Sequence, residues 1–120
     1  MTWIDRDALA TSIGALRATA LMTSEAWLTG YLSDGRQRIK LLTEACGAGD
    51  WPAALFNAHA LKGDASHVGA AQFAKRAAAM EVAIHAQDTR QVEELLADLK
   101  NCFDQTSREL MLILSERPGA

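Results

Sequence analysis

The sequence has few of the residues that build strands. Valine and isoleucine together fill 8 of its 120 positions, against 23 alanines and 15 leucines. Ala and Leu cost little in a helix, whereas β-branched residues favour sheet. A sheet is excluded as the main architecture, and an all-α fold is expected. Prolines number two, Pro52 and Pro118, so no helix between them need break at proline. The two cysteines, Cys46 and Cys102, stand far apart, with no CxxC or Cys/His spacing. They read as reduced helical thiols, not as a disulfide or a metal site. No apolar run approaches the roughly 18–20 residues of a membrane span. The acidic start, Met1 to Asp7, lacks the apolar core of a signal peptide, so a cytoplasmic setting is expected. A net charge of −3 argues against a non-specific grip on nucleic acid or an anionic membrane.

What remains is a single domain with five helical segments. The first should start after Asp5 and run to about Thr19, with Ala8, Leu9, Ile13 and Leu16 on one face. The second spans about Ser24 to Cys46 and stops in Gly47-Ala48-Gly49. Its stripe is Trp27, Leu28, Tyr31, Leu32, Ile39 and Leu42, with a bend or break expected near Gly30 and Asp34-Gly35. Asp50-Trp51-Pro52 pairs a capping Asp with a Pro in the first turn, and the helix it starts runs to Val68 before Gly69. A fourth covers about Ala71 to Gln87. Asp88 caps a fifth, from Thr89 to about Ser115, with Val92, Leu95, Leu96, Leu99, Phe103, Leu110 and Leu114 in one stripe. Such short connections predict an antiparallel, up-and-down four-helix bundle over about residues 24–115, with an additional N-terminal helix packed across it. A loose tail is expected over residues 116–120.

Core packing does not explain the segment from His59 to Ala70. A helix advances about 100° per residue, so Lys62, Gly63, Ser66 and Ala70 fall within about 60° of His59. Ala58, Leu61, Ala65 and Val68 fall on the opposite side and should be buried. The His59 face is unusual for a solvated surface, because a mid-helix Gly costs roughly 0.5–1 kcal/mol relative to Ala. Small residues beside an imidazole leave room for another molecule, and a lysine one turn on can offset negative charge there. An accessible imidazole is a competent nucleophile near neutral pH. Accepting a phosphoryl group from a docking protein fits these parts.

His59-Ala60-Leu61-Lys62-Gly63, with Ser66 and Gly69-Ala70, resembles the histidine-containing phosphotransfer (HPt) pattern His-x-Leu-Lys-Gly-Ser-Ser-x-Asn-x-Gly-Ala. The resemblance extends upstream to Tyr31-Leu32-Ser33-Asp34, like the family's Phe-Leu-x-Asp, and to Gly49-Asp50-Trp51-Pro52. Downstream it takes in Phe73 and then Glu81, which falls where the family often has Glu. It implies that His59 is the phospho-acceptor, that Lys62 steadies the phosphoryl group, and that Gly63, Ser66 and Ala70 form the docking face. The implied partner is a response-regulator receiver domain, with a hybrid sensor histidine kinase as a second candidate. The receiver would bring Mg²⁺; this chain needs no cofactor or metal of its own, makes no ATP site, and is expected to be a monomeric phosphohistidine carrier without kinase activity. Two positions depart from the pattern: Asp64 stands where Ser is usual, and His67 where Asn is usual.

Simpler readings account for the neighbouring residues. His67 lies on the flank with no lysine one turn on. His85 reads as a surface residue near a helix C-terminus. Asp64 turns towards the buried side and should have a partner, such as His67 or a basic residue of the second helix. Lys75-Arg76 reads as a solvated face. No HExxH, EF-hand, GxSxG or phosphate-binding Gly-rich loop is present. Two other readings of the whole chain are a non-catalytic module that binds a regulator and a bundle used for oligomerisation.

Overall fold

The computed structural model describes residues 2–19 and 24–115. Five helices occupy them: α1 Arg6–Thr19, α2 Ser24–Ala48, α3 Trp51–His67, α4 Ala71–His85 and α5 Thr89–Ser115. No strand occurs among the described residues. The expected loose tail at 116–120 and the Leu16 side chain lie outside them.

Side chains start three helices where expected. Asp5 accepts from the backbone N–H of Asp7 and Ala8, Asp50 from Ala53, and Asp88 from Gln91. Each satisfies donors that the first helical turn leaves unpaired. The turns α2–α3 and α3–α4 close in the same way. Gly49 and Gly69 take left-handed φ of 70° and 74°, and the Asp50 and Ala70 N–H groups reach back to the Ala45 and Ala65 carbonyls. The α4–α5 turn differs from expectation. Helix α4 ends at His85 instead of about Gln87, because Gln87 itself adopts left-handed φ (51°) and lets Asp88 N–H bond the Ala83 carbonyl.

Helices α2 to α5 form the antiparallel bundle. Leu28, Leu42, Leu61, Phe73, Met80, Leu99 and Leu110 are fully buried along its axis. The break expected in α2 does not occur. A side chain at Gly35 would collide with the Phe103 ring of α5, whereas Gly30 has open space. Gly35 is a notch that admits the ring, which also packs edge-on against Phe73 at 5.7 Å.

Helix α1 lies outside the four-helix frame and is tied to it through the chain before it. Asp5 N–H donates to the Gly69 carbonyl (2.6 Å), and a Cβ at Gly69 would strike the Asp5 carbonyl oxygen. Arg76 is not the solvated residue expected. It pairs with Asp98 of α5 at 2.9 Å and lies over the Trp3 ring at 5.6 Å, clamping three elements together. No described helix is long and apolar enough to cross a membrane.

Candidate functional site

Helix α3 divides as its periodicity predicts. Ala58, Leu61, Ala65 and Val68 are buried, and His59 projects from the opposite side with 70% of its side chain exposed. Gly63 lies one turn on, and a Cβ there would meet nothing within 4 Å. The approach to the imidazole is open on that side. Lys62 is half-buried beside it.

The antiparallel neighbour α4 brings Glu81 opposite this pair. Its carboxylate is 17% exposed and lies 3.4 Å from His59 Nδ1 and 3.0 Å from Lys62 Nζ. A carboxylate can only accept, so Nδ1 of a neutral ring carries the proton when it faces Glu81. The Nε2 lone pair is then free to attack an electrophile. The half-buried acid thus orients the ring and holds the ammonium one turn away.

Beyond Lys62 and Glu81 the surface beside the imidazole is apolar on one side: Phe56, one turn before His59, is 66% exposed. Between α3 and α4 a groove runs from Pro52, Leu55 and Phe56 past His59 to His85. An exposed aromatic ring beside an accessible imidazole suits a face that another protein covers. The Arg38 guanidinium of α2 lies over the Phe56 ring at 5.7 Å.

Of the residues assigned to the docking face, Ala70 is corrected. It is fully buried, because α3 ends at His67 and the chain reverses at Gly69. Extending the helical wheel to residue 70 placed it wrongly. Ser66 stays on the exposed side, but its hydroxyl donates back to the Lys62 carbonyl at 3.0 Å. His67 and Asp64 line a separate cavity with Tyr31 of α2, away from the His59 groove. Asp64 has the α2 partner expected of it, Arg38, at 3.9 Å. His85 is exposed in the last turn of α4, as expected, and Lys75 is exposed.

Periodicity misses Glu81, since a contact between helices leaves no trace in either helix's own pattern. The only signal was its place in the family pattern. Phe56 is not singled out either, although the helical wheel puts it within about 60° of His59. Among the described residues no three His, Cys, Asp or Glu groups are placed to hold a metal ion. Burial pushes the Cys46 and Cys102 thiols above their ordinary range, which favours the protonated form.

A family model described as Hpt domain matches residues 26–109, well over half of the chain. No curated protein and no solved structure matches.

Proposed function

This chain belongs to the Hpt domain family, whose members carry phosphoryl groups on histidine in phosphorelays, and from that premise we propose that His59 is its phosphoryl-carrying residue. The observation that carries the reading is the Glu81 carboxylate against Nδ1 of an otherwise exposed ring. In the proposed step a receiver's aspartyl phosphate docks over Gly63, and His59 Nε2 attacks the phosphorus. The P–N bond forms as the P–O bond to the aspartate breaks, and the freed carboxylate stays on the receiver. Nδ1 keeps its proton, and Glu81 steadies the positive charge that the ring gains.

Lys62 supplies the countercharge. An ammonium that leaves Glu81 for the incoming phosphoryl oxygens neutralises part of the charge as the group arrives. Gly63 lets the two proteins close to the roughly 3 Å that attack requires. Phe56 supplies apolar area for docking, and the groove towards His85 receives a projecting side chain of the receiver. Metal and acid chemistry stay with the receiver, which explains why this chain has so few catalytic groups. Direction of transfer then depends on which partner carries the phosphate.

Incubation with a phosphorylated receiver tests the reading. Acid-labile, base-stable phosphate mapped to His59 is the expected product. A receiver that binds without transferring phosphate would leave a non-catalytic interaction module.

A further inference from the structure

On the side of α3 that packs against α2, one side chain touches three residues. The Arg38 guanidinium lies over the Phe56 ring at 5.7 Å, donates to Asn57 Oδ1 at 3.5 Å and faces Asp64 Oδ2 at 3.9 Å. A helix advances about 100° per residue, so Asn57 and Asp64 share one stripe of α3, while Phe56 lies round towards His59. Arg38 thus bridges from the α2–α3 seam to the docking face. The phosphotransfer step uses neither Arg38 nor Asp64.

The anchor for Arg38 is built into the helix. Asn57 is buried and donates its Nδ2 to the Ala53 carbonyl at 2.9 Å, which leaves Oδ1 to accept from the guanidinium. Asp64 adds the countercharge. Each contact is long, and alone each is weak. Together, three contacts from one rigid helix confine a planar group that stacks well on aromatic rings. Phe56 needs such support. An exposed phenylalanine on a helix samples more than one rotamer, and ordering it as a partner docks costs affinity. A guanidinium over one face of the ring fixes its position beforehand and leaves the rest for the partner.

We propose that Arg38 is a positioning residue for receiver docking: it holds the Phe56 ring where the receiver's apolar surface meets it, and Asn57 and Asp64 hold Arg38. The inference rests on the reading of the His59 face as the receiver's docking site. It gives Asp64, one of the two departures from the family pattern, a part in docking from eight residues beyond Phe56. Arg38 acts through Phe56, so it sets affinity for the receiver and leaves the chemical step to His59.

The three phenylalanines, Phe56, Phe73 and Phe103, make the test direct. In free protein carrying ¹³C-labelled phenylalanine, with Phe56 assigned by Phe56→Leu, Arg38→Ala should move the Phe56 ring signals. Those of the buried Phe73 and Phe103 should stay in place, which separates lost position from lost folding. Arg38→Lys, a cation without the planar group, should restore part of the shift. Receiver affinity is then measured by calorimetry in the His59→Gln background, where no phosphate moves. Arg38→Ala should weaken it about two- to fivefold, the scale of an exposed cation–π contact, and Asp64→Asn about twofold. With Phe56→Leu already present, Arg38→Ala should add nothing. Unmoved Phe56 signals in Arg38→Ala overturn the proposal, as does unchanged affinity for a receiver that labels His59. A loss undiminished by Phe56→Leu also overturns it, because Arg38 would then touch the receiver itself. A wild type that takes no phosphate overturns the phosphotransfer reading instead, and the ring signals still decide whether Arg38 positions Phe56.

Discussion

Lys62 Nζ rests 3.0 Å from Glu81 Oε1, so a carboxylate holds the ammonium one turn from the exposed His59 imidazole. The same carboxylate faces His59 Nδ1 at 3.4 Å. In the proposed step one acid therefore governs both the tautomer of His59 and the position of its countercharge, and its removal should disturb each in a separable way.

Glu81→Ala should slow phosphotransfer by about tenfold or more, the scale on which loss of a charge-assisted contact acts. Glu81→Gln, which still offers an oxygen acceptor, should fall between Ala and wild type. Imidazole ¹⁵N shifts give the readout that a merely structural residue would not move. Wild type should show Nδ1–H with a free Nε2, and Glu81→Ala a mixture of tautomers. Unchanged tautomer and rate would remove Glu81 from the account.

Lys62→Ala should slow transfer by about tenfold and shorten the lifetime of the phosphorylated protein, without abolishing acceptance. In the proposed step Lys62 acts on the charge of the transferred group and forms no bond to phosphorus. Single-turnover transfer and hydrolysis rates check this. If both match wild type, the ammonium serves only its salt bridge with Glu81.

Gly63 and Gly35 should respond in opposite directions. Gly63→Ala adds a methyl group in open space and should stabilise the bundle by about 0.5–1 kcal/mol. Gly63→Gln should leave the fold intact yet cut transfer by about 10²-fold, because its side chain enters the space a receiver must occupy. Gly35→Ala drives a methyl group into the buried Phe103 ring and should destabilise by about 1–3 kcal/mol. Thermal unfolding and phosphotransfer on the same preparations decide all three.

Alkaline pH should destabilise the protein in two stages. Burial raises the thiols of Cys46 and Cys102 above 9.0, and burial with the nearby Asp64 charge raises Tyr31 above 10.0. In each case the unfolded chain loses its proton first. These contributions are therefore intact below the ordinary values and are lost as pH rises towards the folded ones. The melting temperature should begin to fall near pH 9 and fall more steeply above pH 10. Tyr31→Phe should remove the Tyr31 part of the steeper stage. It should also stabilise the protein at neutral pH by about 1–3 kcal/mol, since no unpaired hydroxyl is then buried. Melts by circular dichroism across pH 7–11 measure both effects.

Helix starts were legible in the sequence because Asp5, Asp50 and Asp88 cap through their own side chains, a local interaction. The end of α4 was not, because Gln87 adopts a conformation usually marked by glycine. Gly35 misled for the converse reason: it reads as a weak point in α2, while its function is to accept a ring 68 residues away in the chain. At the site, the placement of His59, Lys62 and Gly63 followed from a single helix and was readable. Ala70 was not, since the wheel has no meaning past the reversal at Gly69. The contact with Glu81 depends on how α3 meets α4.

Labelling of wild type and His59→Gln by the same phosphorylated receiver tests the central claim most directly. His59 projects away from the core, so the substitution empties no cavity and should leave helicity and melting temperature nearly unchanged. Wild type should gain acid-labile, base-stable phosphate, and His59→Gln none. Undiminished labelling of the variant, or labelling lost only on substitution of His67, would contradict the account.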